Sequence, residues 1–156
     1  MKYCTTILFF LLVPGLASPS AAELKVVASI ADLGALARDV GGANVAVTVL
    51  SSYAEDPHYV DPRPSHLVAL NRADLLVFNG AELEVGWLPP MVIQSRNPRI
   101  QSGGSGYFES AEHVPLRDIP TKVDWAQGDV HPAGNPHFNM DPRAGARLVR
   151  ALGERM

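Results

Sequence analysis

Five histidines are the residues of this chain best suited to coordination chemistry: His58, His66, His113, His131 and His137. Two of them stand in segments of the same layout. "EDPHYVDPRPS" (55–65) and "GNPHFNMDP" (134–142) each place Pro-His ahead of an Asp-Pro pair. A neutral imidazole is a good zinc ligand, and a preceding proline stiffens the backbone that presents it. Nearby Asp and Asn residues can accept the second ring N–H, which fixes the tautomer and leaves the other nitrogen for a metal. His58 and His137 are far apart in sequence, so only the fold can join them. His131, in "DVHPAGNPH", is a further candidate: either a ligand that captures metal and hands it inward, or a solvated loop residue. His66 follows Pro64 into a predicted helix and reads as a capping or surface residue, and His113 reads as an exposed loop residue. Asp61, Asp129 and Asp141 are candidates to support a ligand or cap a helix. Trp87 and Trp125 read as packing residues.

The elements that must position these side chains follow from hydrophobic periodicity. "LKVVAS" (24–29), "NVAVTVL" (44–50) and "DLLVFNG" (74–80) are short β-branched or apolar runs of strand length. Between the first two, Ile30, Leu33, Leu36, Ala37 and Val40 recur at the spacing of one helix face, with Gly41-Gly42 as a stop signal. "PSHLVALNRA" (64–73) predicts a second helix. "AELEVGWLPPMVIQS" (81–95) predicts a short helix interrupted at Pro89-Pro90, and residues 99–109 a short strand entering a Gly/Ser-rich loop. Little regular structure is expected from there to Asp141. Asp141 then caps a helix with Pro142 in its first turn and Leu148, Val149 and Leu152 on its apolar side. Strand, helix, strand, loop, helix, strand predicts an α/β fold, a parallel sheet flanked by helices. Ligands of such sheets bind beyond the carboxyl ends of the strands, which is where the His58 loop begins.

Residues 1–22 stand apart from the fold. A single lysine, an apolar run and small residues ending in Ser20 and Ala22 predict a secretory signal peptide, with Glu23 as the mature N-terminus and 23–156 as one domain. Cys4, the only cysteine, precedes the apolar run, whereas a lipoprotein cysteine would follow it, so no lipid anchor is expected there. Stability must then come from an ordinary core or from a metal held by His and carboxylates. Lys2 is the leader's only charged residue; without it the 13 basic residues become 12 against 16 acidic ones, a net charge of −4. No basic run or face stands out, which argues against nucleic acid as a partner.

The three motifs "EDPHYVDPRPS", "NRADLLVFNGAELEVGWLP" and "GDVHPAGNPHFNMDP", in that order behind a signal peptide, resemble the zinc/manganese solute-binding proteins of bacterial ABC importers, solute-binding protein family 9. The resemblance covers essentially the whole mature chain. It implies a first lobe of a two-lobed protein, with His58 and His137 as metal ligands. It also implies a periplasmic location and a permease partner in the inner membrane. Imidazole donors favour Zn²⁺, with Mn²⁺ as the alternative. Family members continue into a linker helix and a second lobe that adds another histidine and a carboxylate. The expectation is therefore a piece of a longer reading frame; a truncated product that binds metal poorly and a dimer with a four-histidine site are the alternatives. Two other functions compete. A periplasmic metallohydrolase would need a general base beside an open zinc position, and neither H-E-x-x-H nor G-x-S-x-G is present. A cell-adhesion or other non-transporting surface role is compatible with the same fold.

Overall fold

A computed structural model describes residues 23–123 and 130–156; the predicted signal peptide, Trp125 and Asp129 lie outside these. Four strands, β1 (Leu24–Ala28), β2 (Val45–Val49), β3 (Leu75–Phe78) and β4 (Tyr107–Glu109), form one sheet in the order β2-β1-β3-β4. Every neighbouring pair is parallel, with Val26 opposite both Val47 and Leu75, and Val77 opposite Phe108. Among the described residues, four α-helices connect or follow the strands: α1 (Ala31–Gly41), α2 (Pro64–Arg72), α3 (Leu88–Ser95) and α4 (Pro142–Arg155).

The strands read as continuous apolar runs because both faces of the sheet are covered. On one face Val26, Ala28, Leu75 and Val77 pack with Leu33 and Ala37 of α1 and with Ala144, Leu148 and Leu152 of α4. On the other, Val27, Leu76 and Phe78 pack with Leu70 of α2 and with Leu88, Met91 and Val92 of α3. Alternate residues of one strand thus enter two separate cores, as the pleat requires. Among the described residues no helix is long and apolar enough to cross a membrane.

The elements match the sequence reading in number and order, with three corrections. Pro89 and Pro90 do not interrupt a helix. They lie in the first turn of α3, where a missing N–H leaves no bond unmade, and residues 81–87 form turns instead. The strand expected to lead into a Gly/Ser loop follows that loop: Pro98–Ile100 is a 3-10 turn and β4 starts at Tyr107. In α4 the buried stripe is Ala144, Leu148 and Leu152, at i, i+4 and i+8, while Val149 is exposed. The other signals hold. The Gly42 N–H bonds the Arg38 carbonyl at the end of α1, and the Asp141 side chain accepts from the Arg143 N–H (2.8 Å) to cap α4.

The sheet order fixes where a ligand can sit. From β1 the chain moves outward to β2, then crosses back over to β3 on β1's other side. The carboxyl ends of β1 and β3 therefore flank the topological switch point. The loops after β2 and β3 and the segment that follows β4 all start from this end of the sheet.

Helix α4 holds the segment around His137 onto the sheet, so its packing is open to test. Leu148 is fully buried, and Leu148→Ala should lower folding stability by about 2–5 kcal/mol, measured by urea denaturation. A loss below about 1 kcal/mol would mean that α4 is not part of the core.

Candidate metal centre

Two loops with one local design carry the histidines. In Asp56-Pro57-His58 the Asp56 Oδ1 accepts from the His58 backbone N–H at 2.9 Å. In Asn135-Pro136-His137 the Asn135 Oδ1 accepts from the His137 backbone N–H, also at 2.9 Å. Each is an Asx turn in which a short polar side chain bonds the backbone two residues on, with proline fixing the φ between. Both turns are clamped at the proline carbonyl. Trp87 Nε1–H donates to the Pro57 carbonyl and Asn79 Nδ2–H to the Pro136 carbonyl, each at 2.8 Å. Both donors come from the loop between β3 and α3, so one piece of chain sets the position of both histidine straps. Farther out, Glu55 accepts from the Ser52 N–H (2.8 Å) and pairs with Arg63, which closes the base of the His58 loop. The Ser52 N–H is the main cause that lowers the Glu55 carboxyl from its ordinary value.

The β3–α3 loop is itself tied down by a buried carboxylate. Glu84, 3% exposed, accepts from Ser29 Oγ–H (2.5 Å), the Asn79 N–H (2.8 Å) and the Gly80 N–H (3.1 Å). Ser29 follows β1 and Asn79 follows β3, so Glu84 spans the switch point. For Glu84 to turn back onto Asn79 and Gly80, the chain passes through three consecutive residues with positive φ: Gly80 (77°), Ala81 (49°) and Glu82 (68°). Such conformations are unfavourable for residues with a Cβ and persist where surrounding bonds impose them. Gly80 suits its positive φ, and a Cβ there would press on the Glu109 side chain, 2.3 Å from its Oε1, which would have to move aside. Burial raises the Glu84 carboxyl above its ordinary 4.5, against the opposing pull of its donors.

Three imidazoles meet where the straps converge. The fold brings His58 and His137 together, with ring centroids 5.7 Å apart. His131 joins them: its Nε2 lies 3.3 Å from His58 Nε2, and its ring centroid is 6.4 Å from that of His137. One nitrogen from each ring falls within 4.8 Å of the others. His58 and His131 are half-buried and His137 is exposed, in a cleft of about 370 Å³ that Asp118, Val130, Asn135 and Pro136 also line. The Asp56 carboxylate accepts from Nδ1–H of His58 at 2.8 Å, so one carboxylate holds both the turn and the ring. His58 Nε2 is then the lone-pair nitrogen, turned toward His131. These bonds, the backbone one first, lower the Asp56 carboxyl from its ordinary value.

The other histidines depart from the sequence reading. His66 is no surface or capping residue: it is 6% exposed in α2, its Nδ1 has no hydrogen-bond partner, and burial lowers its pKa. It is a core imidazole whose neutral form burial favours. His113 is half-buried and stacks on Phe108, with centroids 4.4 Å apart and rings 13° from coplanar, because the 3-10 turn after β4 folds it back over that strand. Trp87 packs as expected and also makes the Pro57 clamp. Asp61 is exposed and Asp141 caps α4. The residues that sequence reasoning did not single out are Asp56, Asn79 and Glu84. Asp56 had a usable signal, its place two residues before a histidine across a proline. Glu84 had none, because only the left-handed turn at 80–82 brings it back to the carboxyl ends of β1 and β3.

Comparison with known proteins bears on the family and the fold. The family model for ZnuA, described as zinc-uptake complex component A, periplasmic, matches residues 26–156. The chain belongs to this family. It is 36% identical over 129 residues to the manganese-binding lipoprotein MntA of Halalkalibacterium halodurans, covering 83% of this chain and 37% of the relative. It is 30% identical over 120 residues to the metal ABC transporter substrate-binding lipoprotein FimA of Streptococcus parasanguinis, covering 75% of this chain and 38% of the relative. Two crystal structures share the fold. A zinc-bound ZnuA deletion mutant superposes with a TM-score of 0.65 at 22% identity over 85% of this chain and 45% of that one. The periplasmic zinc-binding protein TroA of Treponema pallidum gives 0.58 at 19% identity over 84% and 43%. The chain thus spans less than half the length of these relatives, and its sheet with flanking helices corresponds to one lobe of the two-lobed fold.

The buried carboxylate gives a pH test. Glu84 titrates higher in the folded chain than when unfolded, so it favours folding most below about pH 4.5 and that contribution falls as pH rises through the folded-state value. The stability of the wild type relative to Glu84→Gln, from urea denaturation, should fall as pH rises above the ordinary carboxyl value of 4.5. A difference that does not change with pH would contradict a burial-raised Glu84.

Proposed function

We propose that this chain is the metal-capturing lobe of an extracytoplasmic solute-binding protein that carries Zn²⁺, with Mn²⁺ as the alternative cargo, to the permease of an ABC importer. The observation that carries the reading is the convergence of two Asx-Pro-His straps, each clamped from the β3–α3 loop, on one cleft at the carboxyl end of the sheet. His58 and His137 are the ligands in this reading, held in place before metal arrives. Asp56 keeps the His58 ring in the tautomer that leaves Nε2 for the ion. No bond is made or broken in the cargo; the work is capture, retention and release. The metal-binding and substrate-binding descriptions of MntA and FimA support the reading, as does the periplasmic description of the family. Location outside the cytoplasm follows from residues 1–22 acting as a cleaved signal peptide, with Glu23 as the new N-terminus.

Imidazole nitrogens are borderline donors that suit zinc better than manganese, which prefers carboxylate, carbonyl and water oxygens. Titration of the chain against a competing chelator should give one Zn²⁺ site, with Mn²⁺ bound at least about 100-fold more weakly. The double variant His58→Ala, His137→Ala should lose at least about 100-fold in zinc affinity. Unchanged zinc affinity in the double variant would sink the assignment.

A further inference from the structure

We infer that His131 is a third metal ligand, so that this lobe by itself presents a three-imidazole site with one coordination position left open. The inference rests on the metal-binding reading above and adds a ligand that lies outside both Asx-Pro-His straps. Its basis is a distance. Zinc binds imidazole nitrogen at about 2.0–2.1 Å, which sets the edge of a zinc tetrahedron, ligand nitrogen to ligand nitrogen, at about 3.3–3.4 Å. His58 Nε2 and His131 Nε2 are 3.3 Å apart. The two atoms already span one tetrahedral edge.

The chemistry of the pair agrees with the distance. His58 gives its Nδ1–H to Asp56, so its Nε2 holds the lone pair and His131 Nε2–H is the donor of the hydrogen bond between the rings. A metal arriving at this edge replaces that one hydrogen as the bridge. His131 changes tautomer, solvent taking the proton from Nε2 and returning one to Nδ1, so the ring stays neutral and the Nε2 atoms of both rings become donors to the ion. His137 supplies the third corner. All three ligand atoms lie within 4.8 Å of one another, and a shift of roughly 1.5 Å by His137, the exposed ring of the three, closes the remaining edges to zinc geometry. The backbone that carries His131 is joined to the second strap: the Gly134 N–H bonds the His131 carbonyl at 3.0 Å, next to the Asn135 turn that presents His137.

Three nitrogen ligands and one open position form a site that can hold an ion before any other part of a longer protein closes over it, and can accept a fourth donor later. The competing account is a structural hydrogen bond between His131 and His58 with no role toward metal.

Cobalt(II) separates the two accounts, because a tetrahedral three-imidazole site gives an intense visible d–d spectrum and a two-imidazole site filled with water gives a weak octahedral one. The full chain is loaded with Co²⁺, and zinc affinity is measured by chelator competition, for the wild type and for His58→Ala, His137→Ala, His131→Ala and His131→Gln. The glutamine variant can still hydrogen-bond His58 but is a poor zinc ligand. The expected result is an intense spectrum for the wild type, with both His131 variants losing that intensity and about 30- to 100-fold in zinc affinity. A weak octahedral wild-type spectrum would overturn the inference. So would His131 variants that keep the wild-type spectrum and affinity while the His58 and His137 variants lose binding, a result that leaves the metal-binding reading standing. If none of the variants changes binding, that reading falls along with the inference.

Discussion

The buried carboxylate of Glu84 is the constraint on which the rest of the site depends. It takes a hydroxyl from the residue after β1 and two backbone N–H groups from the residues after β3, and so closes the gap at the switch point of the sheet. A carboxylate this buried is unfavourable unless its oxygens are satisfied, and three donors satisfy them. In return it holds the left-handed turn at Gly80, Ala81 and Glu82. That turn places Asn79 at one end of the loop and Trp87 at the other, the two donors that clamp Pro136 and Pro57. Asn79 and Trp87 are far apart in function from any metal, yet they set the separation of the two straps.

Each strap repeats the same solution to one problem, how to present an imidazole on a loop without leaving it loose. Proline removes one backbone degree of freedom, the Asx side chain closes the turn, and a buried donor fixes the carbonyl between them. The straps differ in one respect. Asp56 also reaches the ring of His58, whereas Asn135 bonds only the backbone of His137. His58 is accordingly oriented in advance, and His137 is exposed and adjustable. Under the proposed metal-capturing reading, the first ring would be set before an ion arrives and the second would adjust to it.

Much of this was legible in the sequence, because the signals were local. Apolar runs of strand length, the Gly41-Gly42 stop, Asp141 as a cap and the paired Pro-His segments each follow from backbone geometry acting over a few residues. The failures were of two kinds. Pro89-Pro90 reads as a break unless it is known that the helix begins there. Burial of His66 and stacking of His113 depend on which element lies over each residue, and periodicity does not report that. Glu84 is the clearest case. In "AELEVGW" it is one of two glutamates with nothing local to separate them; Glu82 takes part in the positive-φ turn, and two residues later Glu84 is buried at the carboxyl ends of β1 and β3. Long-range hydrogen bonding distinguishes them, and no single stretch of sequence encodes it.

The central claim is that the two straps converge on one ion. Zinc K-edge X-ray absorption on the chain loaded with one equivalent of Zn²⁺ tests it directly. The account predicts a low-coordinate first shell with nitrogen at about 2.0–2.1 Å, together with the outer-shell scattering of at least two imidazole rings. A shell of oxygen scatterers with one imidazole or none would show that His58 and His137 do not share a metal.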